Sequence, residues 1–151
     1  MRSTYRALAG LIAIGVVLQA ATIALAWFGV MNDVDGGAVY DEGTEYNAGQ
    51  SLHAILGMIV IPVLALLLMI VSFFTKVPGA VKWAGLVLLV VVVQVLLAFA
   101  SFGAPILGTL HGANALVVMG AAGMASRRVQ SSVGAPEQAT AQPTAGAGAG
   151  A

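Results

Sequence analysis

The chain has 151 residues, of which 60% are hydrophobic and only 8% are charged. Water-soluble domains carry charge on about a quarter of their residues, so this composition argues against a soluble globular protein. Six basic and six acidic residues leave no net charge, which argues against a nucleic-acid-binding surface. The lack of cysteine excludes disulfides, thiolate metal sites and covalently attached c-type haem. These observations indicate a protein of the lipid bilayer.

Four apolar stretches are each long enough for a transmembrane helix, which needs about 20 residues. They cover approximately residues 7–31, 52–74, 83–102 and 104–125, and polar or turn-forming residues separate them. We therefore expect an all-α integral membrane four-helix bundle over residues 1–128, without room for a soluble catalytic domain. Pro62 should kink the second span, because proline cannot donate the backbone hydrogen bond to Met58.

Charge is distributed unevenly about the four spans. All basic residues precede the first span, separate the second from the third, or follow the fourth, and so lie on one side: Arg2, Arg6, Lys76, Lys82, Arg127 and Arg128. Five of the six acidic residues lie in the loop 32–50, on the opposite side. The positive-inside rule then places both termini in the cytoplasm and the acidic loop on the outer side of the cytoplasmic membrane. The Ala/Gly-rich segment 129–151 lacks apolar bulk and should form a disordered cytoplasmic tail.

An internal repeat relates the two halves of the chain. A shift of 75 positions places Gln19 on Gln94, and each is the only amide within its span. A shift of 58 positions places His53 on His111, which are the only two histidines. We therefore predict two tandem helical hairpins related by a pseudo-twofold axis along the membrane normal.

The two histidines are the main candidates for chemistry. In an up-down bundle the second and fourth helices are diagonal, so His53 and His111 would approach the bundle axis from opposite sides. A small residue follows each histidine by four positions, Gly57 and Ala115, and should leave open space beneath it. These residues indicate a b-type haem with His53 and His111 as axial iron ligands.

Three amides complete the candidate site: Gln19, Gln94 and Asn114. They would line the edge of a haem or a quinone, or form hydrogen bonds between helices. The alternative for the histidines is the same structural role, in which they bond the glutamines or each other. Quinone or proton handling is a third interpretation. Acidic residues are absent from the predicted spans and no nucleophile–base set is present, so enzymatic activity is not expected.

The combination of Gln19, Leu52-His53, Gly57, Gln94, Leu110-His111 and Asn114 resembles a known family. It is a family of small four-helix membrane proteins of unknown function, found in actinobacteria among other bacteria, and the similarity covers about residues 7–128. More distantly, the chain resembles one half of haem A synthase and the bis-histidine b-type cytochromes. Haem A synthase carries further polar and acidic residues near its histidines, and this chain does not, so the resemblance implies at most haem binding.

These patterns lead to two functional hypotheses. The first is a haem-binding membrane protein that acts in electron transfer, with the lipid bilayer as its surroundings. The second is a cofactor-free accessory or structural subunit of a larger membrane complex, such as a respiratory complex, or of a homo-oligomer. A transporter ranks third, because the spans carry no charge.

Overall fold

A computed structural model describes residues 1–131, and these residues form four helices and no strand. The helices are α1 (Arg2–Asp35), α2 (Ala48–Ser72), α3 (Ala80–Gly103) and α4 (Leu107–Ser131). Each is long and apolar enough to cross a membrane, which confirms the predicted all-α fold with four candidate spans. Within α2, the segment Leu56–Val60 is a π-helical turn.

Local hydrogen bonding moves the helix ends away from the predicted boundaries. α2 begins four residues early because Asn47 and Gln50 form a capping box, in which each side chain accepts a hydrogen bond from the other residue's backbone N–H. α4 begins late, at Leu107, after the extended backbone of Ala104 and the ring of Pro105.

α4 also ends later than predicted. It continues past residue 128 to Ser131, and Val129 is fully buried against the other helices. Residues 129–131 therefore belong to the helix and not to the predicted disordered tail. The rest of that tail, residues 132–151, lies outside the described residues.

The four helices pack as a ring. Within the described residues, extensive packing joins α1 to α2, α2 to α3, α3 to α4, and α4 back to α1. The helices of each diagonal pair, α2 with α4 and α1 with α3, thus face each other across the bundle. We call the end with the α1–α2 and α3–α4 connections the loop end, and the end with residue 1 and the α2–α3 connection the terminal end.

The hydrophobic core occupies only the terminal half of the bundle. Its fully buried side chains include Tyr5, Ile12, Leu68, Val87 and Val118. The Tyr5 hydroxyl donates a 3.0 Å hydrogen bond to the backbone oxygen of Ala80, which joins the start of α1 to the start of α3. Among the described residues of the loop half, two are buried and both are small: Ala26 of α1 and Gly49 of α2.

A close backbone contact joins α1 to α2 at the loop end. A Cβ atom on Gly49 would lie 2.6 Å from Cα of Ala26 and 2.8 Å from the backbone oxygen of Thr22. Asn47 strengthens the same contact, because its side-chain amide donates a 2.9 Å hydrogen bond to the Ala26 oxygen. The two helices can approach this closely only because Gly49 has no side chain.

Replacing Gly49 with alanine should therefore push α1 and α2 apart and lower the free energy of unfolding by about 1–3 kcal/mol. The matched control is Gly120→Ala, where an added Cβ meets no atom within 4 Å. That variant should be neutral or more stable by up to about 1 kcal/mol, because alanine favours the helix. Reversible unfolding in detergent, followed by circular dichroism, measures both changes. Equal stability of the two variants would contradict the close contact.

Candidate functional site

The two histidines meet across the bundle. His53 is on α2 and His111 is on α4, and their ring centroids lie 6.4 Å apart with an angle of 59° between the ring planes. Both side chains are partly buried. The site lies in the loop half, immediately beyond the last buried core residues of α1 and α3, Val16 and Val91.

A reciprocal pair of hydrogen bonds holds His53 against α1. Its Nδ1 lies 3.1 Å from the backbone oxygen of Gln19, and Nε2 of the Gln19 side chain donates a 3.0 Å bond to the backbone oxygen of His53. A carbonyl oxygen can only accept, so Nδ1 of His53 carries the proton. The second ring nitrogen, Nε2, takes part in none of these bonds and keeps its lone pair.

His111 and Gln94 form the same two bonds between α4 and α3. Nδ1 of His111 lies 3.1 Å from the backbone oxygen of Gln94, and Nε2 of Gln94 donates a 3.0 Å bond to the His111 oxygen. Nε2 of Gln94 also lies 3.2 Å from Nε2 of His111, which can accept from it. The residues aligned by the repeat thus make matching contacts, although the glutamine and histidine are 34 residues apart in one pair and 17 in the other.

Asn114 gives the side-chain oxygens of the two glutamines different hydrogen bonding. Its side-chain amide donates a 2.8 Å bond to Oε1 of Gln94 and a 2.9 Å bond to the backbone oxygen of Val90. Oε1 of Gln19 is buried and has no hydrogen-bond partner. One amide is therefore fully bonded and the other retains an unused acceptor.

The small residues below the histidines do not both leave open space. A Cβ atom on Gly57 would lie 2.6 Å from Nε2 of Gln19, so the Gln19 amide fills the space that the sequence predicted to be open. Ala115 is partly buried and packs against the edge of the hydrophobic core. Gly57 thus allows Gln19 to reach the backbone of His53.

The separation of the two rings is close to that of two imidazoles on one metal ion. Two imidazoles that bind one ion through nitrogen, at about 2 Å each, have ring centroids about 6 Å apart, close to the 6.4 Å found here. Histidine ligands usually donate the other ring N–H to a carbonyl or carboxylate, and the backbone oxygens of Gln19 and Gln94 take that role. The described chain contains no cluster of three or more His, Cys, Asp or Glu side chains, so a protein-only metal cage is not formed there.

The partners that orient the rings are backbone oxygens, whereas the Thr109 hydroxyl bonds the backbone oxygen of Ile106. Sequence reasoning missed one feature of the site, the π-helical turn that begins at Leu56. Pro62 was a signal for it, because its missing N–H disturbs the preceding turn, where Ile61 donates to the Leu56 oxygen five residues earlier.

A concave surface separate from the histidine pair lies in the α1–α2 connection. It is an open groove of about 670 Å³ lined by polar and acidic residues, among them Asn32, Asp33, Thr44 and Glu45. The Tyr40 hydroxyl donates a 2.8 Å bond to the Asp33 carboxylate, which raises the pKa of Tyr40. The groove contains no histidine and lies apart from the histidine pair.

Comparison with known proteins adds no assignment: no family model matches the chain, and no curated protein and no solved structure matches it. The resemblance to bacterial four-helix membrane proteins therefore stays a prediction.

The unequal bonding of the two glutamines has a measurable consequence. Gln94→Met removes a side chain that bonds His111 and Asn114, whereas Gln19→Met removes one bond and a buried acceptor without a partner. Interhelical hydrogen bonds in membranes contribute about 0.6 kcal/mol on average. We expect Gln94→Met to lose about 1 kcal/mol more stability than Gln19→Met in reversible unfolding in detergent. Equal losses would contradict the difference between the two amides.

Proposed function

We propose that this protein is an integral membrane protein that binds a b-type haem, with His53 and His111 as the axial iron ligands. The observation that supports this most directly is the pair of rings 6.4 Å apart, each with Nδ1 bonded to a backbone oxygen. With Nδ1 bonded in this way, Nε2 of each ring would be the ligating atom, and His111 would exchange its contact with Gln94 for the iron.

The unequal packing of the bundle is a second support. The terminal half has a continuous buried core, whereas the buried residues of the loop half are small, within the described chain. Native interiors are close-packed, so the few buried side chains of the loop half leave its packing incomplete without an added apolar group. A haem macrocycle would supply the apolar surface that this half lacks.

Each residue of the site has a defined part in such a complex. His53 and His111 would hold the iron, and the backbone oxygens of Gln19 and Gln94 would orient the rings. Gly57 would admit the Gln19 amide beside His53, and Ala115 would limit the bulk beside the macrocycle. The two glutamine amides and Asn114 would lie at its edge. A haem bound in this way supplies one-electron redox chemistry, so we propose an electron carrier and not an enzyme.

The matching bonds of the two halves also support the tandem repeat. Gln19 with His53 and Gln94 with His111 make the same two contacts at nearly the same distances. We propose that the bundle consists of two helical hairpins related by a pseudo-twofold axis along the membrane normal. We further propose that the terminal end, with its six basic residues, faces the bacterial cytoplasm, and that the acidic loop faces outward.

A second candidate function is a cofactor-free accessory subunit of a membrane complex or homo-oligomer. It is favoured by the contact of Nε2 of Gln94 with Nε2 of His111, because that bond uses the atom which iron would need. The basic residues all lie away from the loop end, so none is placed there to neutralise haem propionates. In this case the hydrogen bonds among the two histidines, the two glutamines and Asn114 would only fix the rotation of the helices about their axes.

Haem binding is tested by the visible spectrum of the detergent-purified protein, expressed with a haem supply and recorded oxidised and dithionite-reduced. We expect a Soret band and sharp reduced α and β bands, because two imidazole ligands give six-coordinate low-spin iron. His53→Ala and His111→Ala should each remove this spectrum. Thr109→Ala, which changes an exposed hydroxyl on the same helix, should leave it intact. A colourless wild-type protein that stays colourless after haem is added would overturn the proposal in favour of the accessory subunit.

The orientation is tested separately, and the lack of native cysteine makes the experiment simple. Ser3→Cys labels the terminal end and Ala38→Cys labels the acidic loop, and neither changes a charged residue. A membrane-impermeant maleimide should modify position 38 in intact cells, and position 3 only after the membrane is opened. The reverse result would show that the positive-inside rule fails for this protein.

A further inference from the structure

The buried amide oxygen of Gln19 has a fixed direction but no partner. Nε2 of the same amide donates to the backbone oxygen of His53 at 3.0 Å, and a flipped amide would place two acceptors against each other. Oε1 therefore must point away from that oxygen, where residues 1–131 provide no donor. A buried polar atom without a hydrogen bond destabilises the folded state, so a donor from outside the chain would be bound favourably.

The corresponding amide in the other half shows what is missing. Oε1 of Gln94 accepts a 2.8 Å bond from Asn114. The repeat shift of 58 places Asn114 on position 56, since 114 − 58 = 56, and this position is Leu56. One half thus supplies its own donor, and the other has an apolar side chain in its place.

The backbone next to Gln19 is also unusual. The π-helical turn Leu56–Val60 begins at the position that lacks the donor, and π turns in α-helices frequently mark functional sites. Gly57 lies in this turn, and a Cβ atom there would lie 3.8 Å from Oε1 of Gln19. The π-helical turn therefore packs directly against the Gln19 amide where α1 meets α2.

The depth of the oxygen limits the chemistry of its partner. Gln19 lies half-way along α1, which is 34 residues long, so it is near the centre of the span and far from phospholipid headgroups. A donor that reaches this depth from outside the protein must be carried by a molecule that dissolves in the bilayer interior. A hydroquinone with an alkyl chain dissolves there and carries O–H donors.

We propose that Oε1 of Gln19 accepts a hydrogen bond from a hydroxyl group of a lipid-soluble hydroquinone bound between α1 and α2 at the π-helical turn. The site uses Gln19, Gly57 and the turn itself, and it does not depend on haem. Binding here is reversible association without electron transfer. The remaining source of an O–H donor is an internal water molecule, which the experiment distinguishes.

The test is thermal unfolding of the full chain in lipid nanodiscs under anaerobic conditions, with added decyl-substituted 1,4-hydroquinone. A ligand that binds the folded state raises Tm with its concentration, so wild-type Tm should rise. The 1,4-dimethyl ether of the same compound lacks the O–H donor and should produce no rise. Equal effects of the two compounds would mean non-specific partitioning and would overturn the proposal.

Leu56→Asn tests the residue assignment. This change places a carboxamide where the other half has Asn114, so it should satisfy Oε1 from within the chain, raise Tm without ligand and abolish the response to hydroquinone. The matched control Ile55→Asn puts the same group on the neighbouring exposed residue and should keep the response.

A full response in Leu56→Asn overturns the proposal. If Leu56→Asn raises Tm but the wild type does not respond to hydroquinone, water is the partner and the proposal is wrong. If Leu56→Asn does not fold, the comparison of the hydroquinone with its ether on the wild type decides.

Discussion

The structure of the loop half depends on one constraint: a polar side chain within a membrane span must find its partner inside the protein. Gln19 and Gln94 meet this constraint by donating to the backbone of a histidine on the next helix, and each histidine donates back to the backbone of its glutamine. Two bonds to main-chain atoms fix the rotation of both helices about their axes. The direction of the histidine rings follows from that rotation, and so does the geometry of any site that they form.

The two halves of the bundle are held together in different ways. At the terminal end, close-packed Ile, Leu, Val and Ala side chains join all four helices, and the Tyr5 hydroxyl adds a bond to Ala80. At the loop end, α1 and α2 are joined by backbone contact at Gly49 and by the Asn47 amide. Because helices in a membrane gain little from hydrophobic association, the polar layer at the histidines can determine their arrangement in this half.

The helical fold and the site residues were accessible from the sequence, and the bonding within the site was not. Four long apolar runs leave helices as the structure that satisfies every backbone group in a bilayer, so the spans could be predicted from composition alone. The histidines and glutamines could be predicted because they are the polar exceptions in those runs. Their partners are backbone oxygens, which every residue has, so no residue pattern identifies them. The helix ends depended on single local features, such as the Asn47 capping box and the burial of Val129.

The difference between the halves is more informative than their similarity. Matching glutamine–histidine bonds at aligned positions would satisfy a purely structural role, and a structural role gains nothing from leaving one acceptor unbonded. Yet Oε1 of Gln94 accepts a hydrogen bond from Asn114, whereas the Gln19 amide lies against Gly57 in the π-helical turn and its Oε1 has no partner among the described residues. An asparagine at position 56 would give the buried Oε1 of Gln19 a hydrogen-bond donor without changing the arrangement of the helices. The half without this asparagine is therefore where a hydrogen-bond donor from outside the chain would stabilise the folded protein most. A molecule bound there would lie beside the pair of histidines.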